Sequence, residues 1–304
     1  MSRAVPTSAT AELPATAETG AGAPARLARR SLRRPWRWVT YPLLLAGLLL
    51  ILAPLWWMFA ASFMDQGEIF SGKLALWPSH WIAANYVAAS QLLPLYRNLL
   101  NSIVIAGGHT LLAVFFASLA GYAFAKLSFP GRGALFLLIL LTMMVPSEVG
   151  LIPSFIIVSK LRLVNTYWAL ILPGAASGLG IFFLRQYMST LSNAVLEAAR
   201  IDGCPEFGIF YRVVVPMSVP ALAALAILDF VGSWNDYLWP LVMLRTRDMQ
   251  TITLAVPALE ATGFNIPWGA IMAGSVIAVV PPIVVFLLFQ RYFVAGITVG
   301  SVKE

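Results

Sequence analysis

Charge is what this sequence has least of. Of its 304 residues, 11% are Asp, Glu, Lys or Arg and 60% are hydrophobic. A soluble globular domain carries about a quarter charged residues. A larger core does not remove the deficit, because its surface still needs charge, so a water-soluble fold is disfavoured. Cysteine is nearly absent as well. Cys204 is the single one, so no internal disulfide can form, and it has no metal-ligand companions nearby in sequence. It reads as a small packing residue, since a reactive thiol needs an electropositive setting. The two histidines, His80 and His109, lie far apart, and no HExxH, GxSxG or zinc-type spacing occurs. No nucleophile–base constellation is visible, which disfavours an intramembrane enzyme.

What charge there is leans positive, with a net +7 and a pI near 9.8. Nucleic-acid binding would call for a folded basic surface or a stacking motif, and neither is present. The arginines instead cluster at positions 26, 29, 30, 33, 34 and 37, just ahead of an apolar block. That is the pattern of a membrane orientation signal.

The apolar residues come in long runs. Residues 1–37 have no apolar period and read as a disordered, basic cytoplasmic tail. Six blocks follow within the membrane domain 38–304, at about 41–63, 99–123, 134–158, 167–187, 219–241 and 268–289. Each is near the roughly 20 residues that cross a bilayer as helix. A cleaved signal peptide is the competing reading of the first block, but the run is longer than the 7–15 residues of an ordinary h-region. The fourth block is interrupted by Pro173, Gly174, Gly178 and Gly180. The expected fold is therefore an all-α membrane protein with six transmembrane helices. With both termini inside, Lys73, Arg97, Lys160, Arg162, Arg245 and Arg247 fall outside and the other 14 of the 20 Lys and Arg fall inside. That asymmetry supports the N-in, C-in orientation.

Several motifs need weighing. Gly67 to Lys73 fits the opening of a Walker A loop, but Leu74 stands where the Mg²⁺-binding hydroxyl belongs and no strand–loop–helix context surrounds it,. The chain is not expected to bind ATP in a fold of its own. Acidic residues within spans carry a functional hypothesis by default. Glu148 follows Met144-Val145-Pro146-Ser147, and Asp229 and Asp236 fall in the fifth block. Glu148, Trp234, Asn235 and Asp236 are candidates for a hydrophilic path. Interhelical hydrogen bonding that fixes a bundle explains the acids equally well, and Asp229 could pair with a neighbouring chain. Trp234-Asn235-Asp236-Tyr237 mixes stacking faces with hydrogen-bonding groups, as a sugar path would. His109 reads either as a proton relay or as a packing histidine bonded to a backbone carbonyl or water.

The most informative segment is polar and lies between blocks four and five, at 191–216. Leu191 to Asp202 has helix-forming composition, with small Ala198 and Ala199 permitting close approach. Gly203 can take positive φ and end that helix. Pro205 suits the first turn of the next, and Phe207 and Phe210 give it an apolar face. The expected product is a cytoplasmic helix–turn–helix shaped to dock a partner, in place of the 2–8-residue connection usual between helices.

Glu197-Ala198-Ala199, then Asp202-Gly203 and the later Val215-Pro216, resemble the EAA motif of permease subunits in binding-protein-dependent ABC importers. Cys204 replaces the usual Ala and Val215 the usual Leu. Tyr122 to Lys126, Phe129 to Arg132, Met144 to Pro146, Asn165 to Trp168, Trp234 to Pro240 and Gln290 to Phe293 look like the carbohydrate-type branch, similar to the maltose permease G-type subunit. The resemblance implies a permease that is itself no enzyme and binds no cofactor, in a bacterial or archaeal cytoplasmic membrane. It implies an F-type second permease subunit, two ATPase subunits that use ATP and Mg²⁺, and an extracytoplasmic solute-binding protein. It further implies that Glu197, Ala198, Ala199, Asp202, Gly203 and Phe207 couple to an ATPase and that the solute is a sugar or oligosaccharide. The alternatives are an importer subunit for another polar solute such as glycerol phosphate, and an ion-coupled secondary transporter using Glu148 and Asp236 as an acid pair.

Overall fold

The computed structural model describes residues 37–72, 75–262 and 266–298. The expected tail lies outside the described residues up to its last position, as do Lys73, Leu74 and Lys303. Every regular element among the described residues is helical. The chain divides into two compact units, Met1–Leu50 and Ile51–Glu304. What is described of the first is the N-terminal part of α1 (Arg37–Ala61), where Leu43, Leu49 and Leu50 are exposed. A helix apolar all round suits lipid, not water.

The second unit is organised on α4 (Leu95–Lys126), a helix of 32 residues and so about 48 Å long at 1.5 Å per residue. Before it come α2 (Gln66–Ile69) and α3 (Ala84–Leu92). After it come α5 (Arg132–Thr142), α6 (Leu151–Lys160), α7 (Trp168–Ile171), α8 (Gly178–Ser189), α9 (Asn193–Ile201) and α10 (Glu206–Ile209). Then follow α11 (Val215–Met217), α12 (Val219–Asn235), α13 (Leu238–Met243), α14 (Ile252–Ala255) and α15 (Trp268–Thr298). α4 packs on α8 and α12, and α12 packs on α15. Gly121 sets the α4–α8 approach. A Cβ there would stand 2.9 Å from Leu184 Cβ and 3.0 Å from the Arg185 amide nitrogen. Small residues permit such backbone proximity in membrane bundles.

Three helices among the described residues are long and apolar enough to cross a membrane unbroken: Trp38–Ala61, Leu95–Lys126 and Trp268–Arg291. Two more candidates are bent pairs, Arg132–Thr142 with Ser147–Lys160 at 93° and Glu206–Met217 with Val219–Asn235 at 78°. The expected third block is thus not one straight helix. Pro146 has no N–H for the Thr142 carbonyl and cannot extend α5. The expected fourth block is α7 and α8 with Pro173 and Gly174 between them, and neither helix alone reaches spanning length. The fifth breaks at Asp236 and Tyr237, because Pro240 removes the donor for the Asp236 carbonyl. The Asp236 side chain takes over as a cap, its Oδ1 accepting from Trp239 N at 3.3 Å. Gly67 belongs to short α2 and not to a strand-to-helix loop; Asp65 caps that helix, accepting from Glu68 N at 2.8 Å.

One polar stripe was not singled out from sequence. Asn98, Asn101 and Ser102 of α4 are fully or nearly fully buried. Asn98 Nδ2 donates to the carbonyls of Arg247 and Gln250 at 3.0 and 2.8 Å, and Asn101 Nδ2 to those of Asp248 and Gln250 at 2.8 and 2.9 Å. Ser102 Oγ accepts from Ile252 N at 2.9 Å. The stripe satisfies an irregular backbone stretch that could not otherwise be buried.

Candidate functional site

A cavity of about 560 Å³ gathers most of the polar residues flagged within the apolar blocks. Glu148 reaches it from the short turn Ser147–Gly150 between α5 and α6. It stands at the bend, not mid-helix, with Ser147 Oγ donating to its Oε1 at 3.1 Å. Asn235 and Asp236 line it from the end of α12, and Asp229 from two turns earlier in that helix. His109 of α4 completes the group. The Ile171 carbonyl lies 3.3 Å from its Nδ1; a carbonyl can only accept, so Nδ1 carries the proton. That bond is the packing role, and it also fixes the ring on the cavity wall. Among the described lining residues there are three carboxylates and no Lys or Arg. Among the described residues no three His, Cys, Asp or Glu side chains converge as a metal site. Asp229 Oδ2 is buried with no protein partner.

Trp234 does not join this cavity. It is 3% exposed and stacks on Phe230 at 5.7 Å. Its Nε1 donates to the Ala278 carbonyl of α15 at 3.1 Å. That carbonyl lies four residues before Pro282, which has no N–H to offer it. Trp239 repeats the arrangement. Its Nε1 donates at 2.9 Å to the Ala169 carbonyl, four residues before Pro173. Each indole supplies the donor that a proline removed, which is how a proline is accommodated in an apolar bundle.

The 191–216 segment folds as a helix, a tight turn and a second helix. α9 ends in a Schellman arrangement. Gly203 takes φ +76°, its N–H bonds the Arg200 carbonyl at 3.0 Å, and Cys204 N–H bonds the Ala199 carbonyl at 3.0 Å. Pro205 is the N-cap of α10, one place before the first turn. A single π-helical stretch, Phe210–Val214, leads into α11; Pro216 has no N–H for Arg212, and the wider turn relieves its clash with that carbonyl. The segment has two faces. Leu196, Ile209, Phe210 and Val214 are buried in a core with Leu184 and Met188 of α8 and Tyr122 of α4. Glu197, Ala198, Asp202, Gly203 and Phe207 are exposed, Phe207 to 69% and neighbouring Ile201 to 85%. Ala199 sits between, packed on the core. Phe207 and Phe210 keep ring contact, with centroids 6.1 Å apart, but Phe210 is buried and Phe207 is exposed.

The comparisons with known proteins fall on this architecture. Residues 113–299 match the model of the binding-protein-dependent transport system inner membrane component. The chain belongs to that family. The match takes in the helix–turn–helix and every cavity residue except His109. This transport component is 41% identical over 253 residues to the arabinooligosaccharides transport system permease protein AraQ of Halalkalibacterium halodurans, covering 82% of this chain and 90% of that one. It is 34% identical over 273 residues to the sn-glycerol-3-phosphate transport system permease protein UgpE of Escherichia coli O1:K1, covering 87% and 97%. In fold it is similar to a chain of a bacterial ABC transporter that imports the acidic polysaccharide alginate, with a TM-score of 0.76 and 24% identity over 85% of this chain and 96% of that one.

Beyond the flagged residues, the geometry of this family member brings in Tyr122, Lys126 and Glu206. Lys126 Nζ donates to the Leu191 carbonyl at 2.6 Å and to Asn193 Oδ1 at 2.7 Å. Glu206 forks onto Arg200, with Nη2 to Oε1 at 3.0 Å and Nε to Oε2 at 3.2 Å. The hydrogen bond raises the Arg200 pKa above its ordinary value. Tyr122 and Glu206 are 84 positions apart, and nothing local in the sequence links them.

Proposed function

We propose that this chain is one permease subunit of an ATP-driven importer for a neutral oligosaccharide, and that its helix–turn–helix docks on a separate ATPase subunit. The observation that carries the docking reading is the two-faced segment around Gly203. Its inner face is anchored in the core, while Ile201 and Phe207 stand exposed between Glu197, Ala198 and Asp202. Exposed apolar anchors ringed by charge have the character of a protein interface. Lipid is the other home for exposed apolar groups, and the adjacent carboxylates disfavour it.

In this reading the ATPase subunits bind ATP and Mg²⁺, a second permease subunit of F-type completes the pathway, and an extracytoplasmic binding protein delivers the solute. Six crossings with both termini inside follow if each bent pair counts as one crossing and α7 with α8 as another. Glu148, Asn235 and Asp236 belong to the path; Trp234 supports it from behind.

The solute class is supported by cavity chemistry together with the family. Relatives carry names for arabino-oligosaccharides and for glycerol phosphate. Among its described residues the wall carries Glu148, Asp229 and Asp236 and no Lys or Arg, so it offers phosphates and uronates no cationic partner,. The same carboxylates can accept hydrogen bonds from sugar hydroxyls. The test is uptake by the complete complex in proteoliposomes with its binding protein. ATP-dependent accumulation of neutral arabino-oligosaccharides, with glycerol 3-phosphate left outside, is expected. Accumulation driven by a proton gradient without ATP would instead establish a secondary transporter.

A further inference from the structure

We propose that Glu206 is a positioning residue of the docking turn, and that its bond to Tyr122 makes the turn and α4 move as one body. The inference rests on the docking role proposed above.

Three chain segments meet on one carboxylate. Glu206 opens α10, just after the turn. Its Oε1 accepts from the hydroxyl of Tyr122 on α4, and both its oxygens accept from Arg200 on α9, just before the turn. The Arg200–Glu206 fork therefore closes the turn from side to side. Taken alone it is an ordinary surface ion pair, with both side chains 41% exposed, and such pairs contribute little because water screens them. Tyr122 is what changes its character. That residue is 4% exposed, and its ring packs on Phe210 with centroids 5.5 Å apart. A phenylalanine would fill the same space. The hydroxyl is needed to reach Glu206, not to fill the core.

The same end of α4 holds the segment from its other side as well. Lys126, one turn on from Tyr122, grips the Leu191 carbonyl and Asn193 at the start of α9. Further back, α4 presents His109 to the cavity, and beyond that Asn98 and Asn101 to the 247–250 backbone. A push on the turn is thus delivered to one long helix that touches the cavity wall. Without the Tyr122 bond the turn can tilt on Gly203 while α4 stays behind.

The experiment compares Tyr122→Phe, Glu206→Ala and the double variant in the complete transporter, with its second permease, ATPases and binding protein, in proteoliposomes. The quantity read is solute moved per ATP hydrolysed. A residue that is merely structural lowers transport and hydrolysis together and leaves that ratio alone. Losing a hydrogen bond to a charged group predicts a ratio lowered by about tenfold in Tyr122→Phe. The double variant is expected to be no worse than Glu206→Ala, since the two side chains act as a unit. A wild-type ratio in Tyr122→Phe, or additive losses in the double variant, overturns the proposal. Should Tyr122→Phe fail to assemble, Glu206→Ala decides alone, because its half-exposed position does not threaten the core: a wild-type ratio there also overturns the proposal. Gly203→Asp, run in parallel, separates the two ideas. If it uncouples while both other variants behave as wild type, docking stands and the Tyr122 link falls. If it too behaves as wild type, the docking reading falls, and this inference with it.

Discussion

Trp234 and Trp239 show how a single residue's role can hide from its sequence. Set beside Asn235, Asp236 and Tyr237, Trp234 looks like a stacking platform for a sugar, and nothing local gives Trp239 a role. Both indole N–H groups bond carbonyls, of Ala278 and Ala169, which Pro282 and Pro173 leave without a donor; Trp234 thereby stands outside the cavity, while Trp239 still lines it. Those partners lie 44 and 70 positions away, so no local pattern announces them. Gly203 is the opposite case. Its neighbours Asp202 and Pro205 frame a helix end and a helix start, and positive φ follows from local chemistry alone. The burial of Phe210 fell between these cases, because two phenylalanines three apart do not say which one faces the core. Trp234→Phe keeps an aromatic ring but leaves the Ala278 carbonyl unpaired. Thermal unfolding in detergent is expected to show a loss of about 1 kcal/mol, the scale of interhelical hydrogen bonds in membrane bundles. An unchanged midpoint would mean the indole bond contributes nothing.

At the scale of elements, the apolar blocks were legible, and so was the interruption of the fourth at Pro173 and Gly174. Pro146 and Pro240 stand in plain view too, yet block length suggested straight third and fifth spans. The breaks matter because Glu148 sits at the bend between α5 and α6 and Asp236 just past the end of α12, so both reach the cavity without interrupting a helical ladder. The Asn98, Asn101, Ser102 stripe was legible in principle, since positions i, i+3 and i+4 share a helix face. Helix contacts were not, because a close approach depends on which glycine meets which neighbour. Gly121→Ala forces a methyl to 2.9 Å from Leu184 Cβ, and overpacking of this kind costs about 1–3 kcal/mol. Gly107→Ala meets nothing within 4 Å and is the control. The expected result is a lowered unfolding midpoint for the first variant only; equal midpoints would remove Gly121 as the determinant of the α4–α8 approach.

For the molecule as a whole, composition announced the membrane, the motif around Gly203 pointed to the family, and the comparisons established it. Orientation remains a proposal resting on the Lys and Arg asymmetry, and labelling can read it. In a Cys204→Ala background, Thr246→Cys and Phe207→Cys place single thiols on two exposed positions. An impermeant thiol reagent applied to intact spheroplasts is expected to label position 246 and spare 207. The reverse pattern would invert the topology.

The central claim is that the turn at Gly203 couples this chain to an ATPase. Gly203 takes φ +76° with open space around a would-be Cβ. Asp is among the few side chains that visit this left-handed region, so the variant chiefly adds a charge to the docking face while leaving the core untouched. Transport and ATP hydrolysis by the Gly203→Asp complex are therefore the most direct measurement. The expected outcome is a protein present in the membrane at wild-type level whose ATP-driven uptake is abolished. Wild-type uptake by that variant would contradict the docking role.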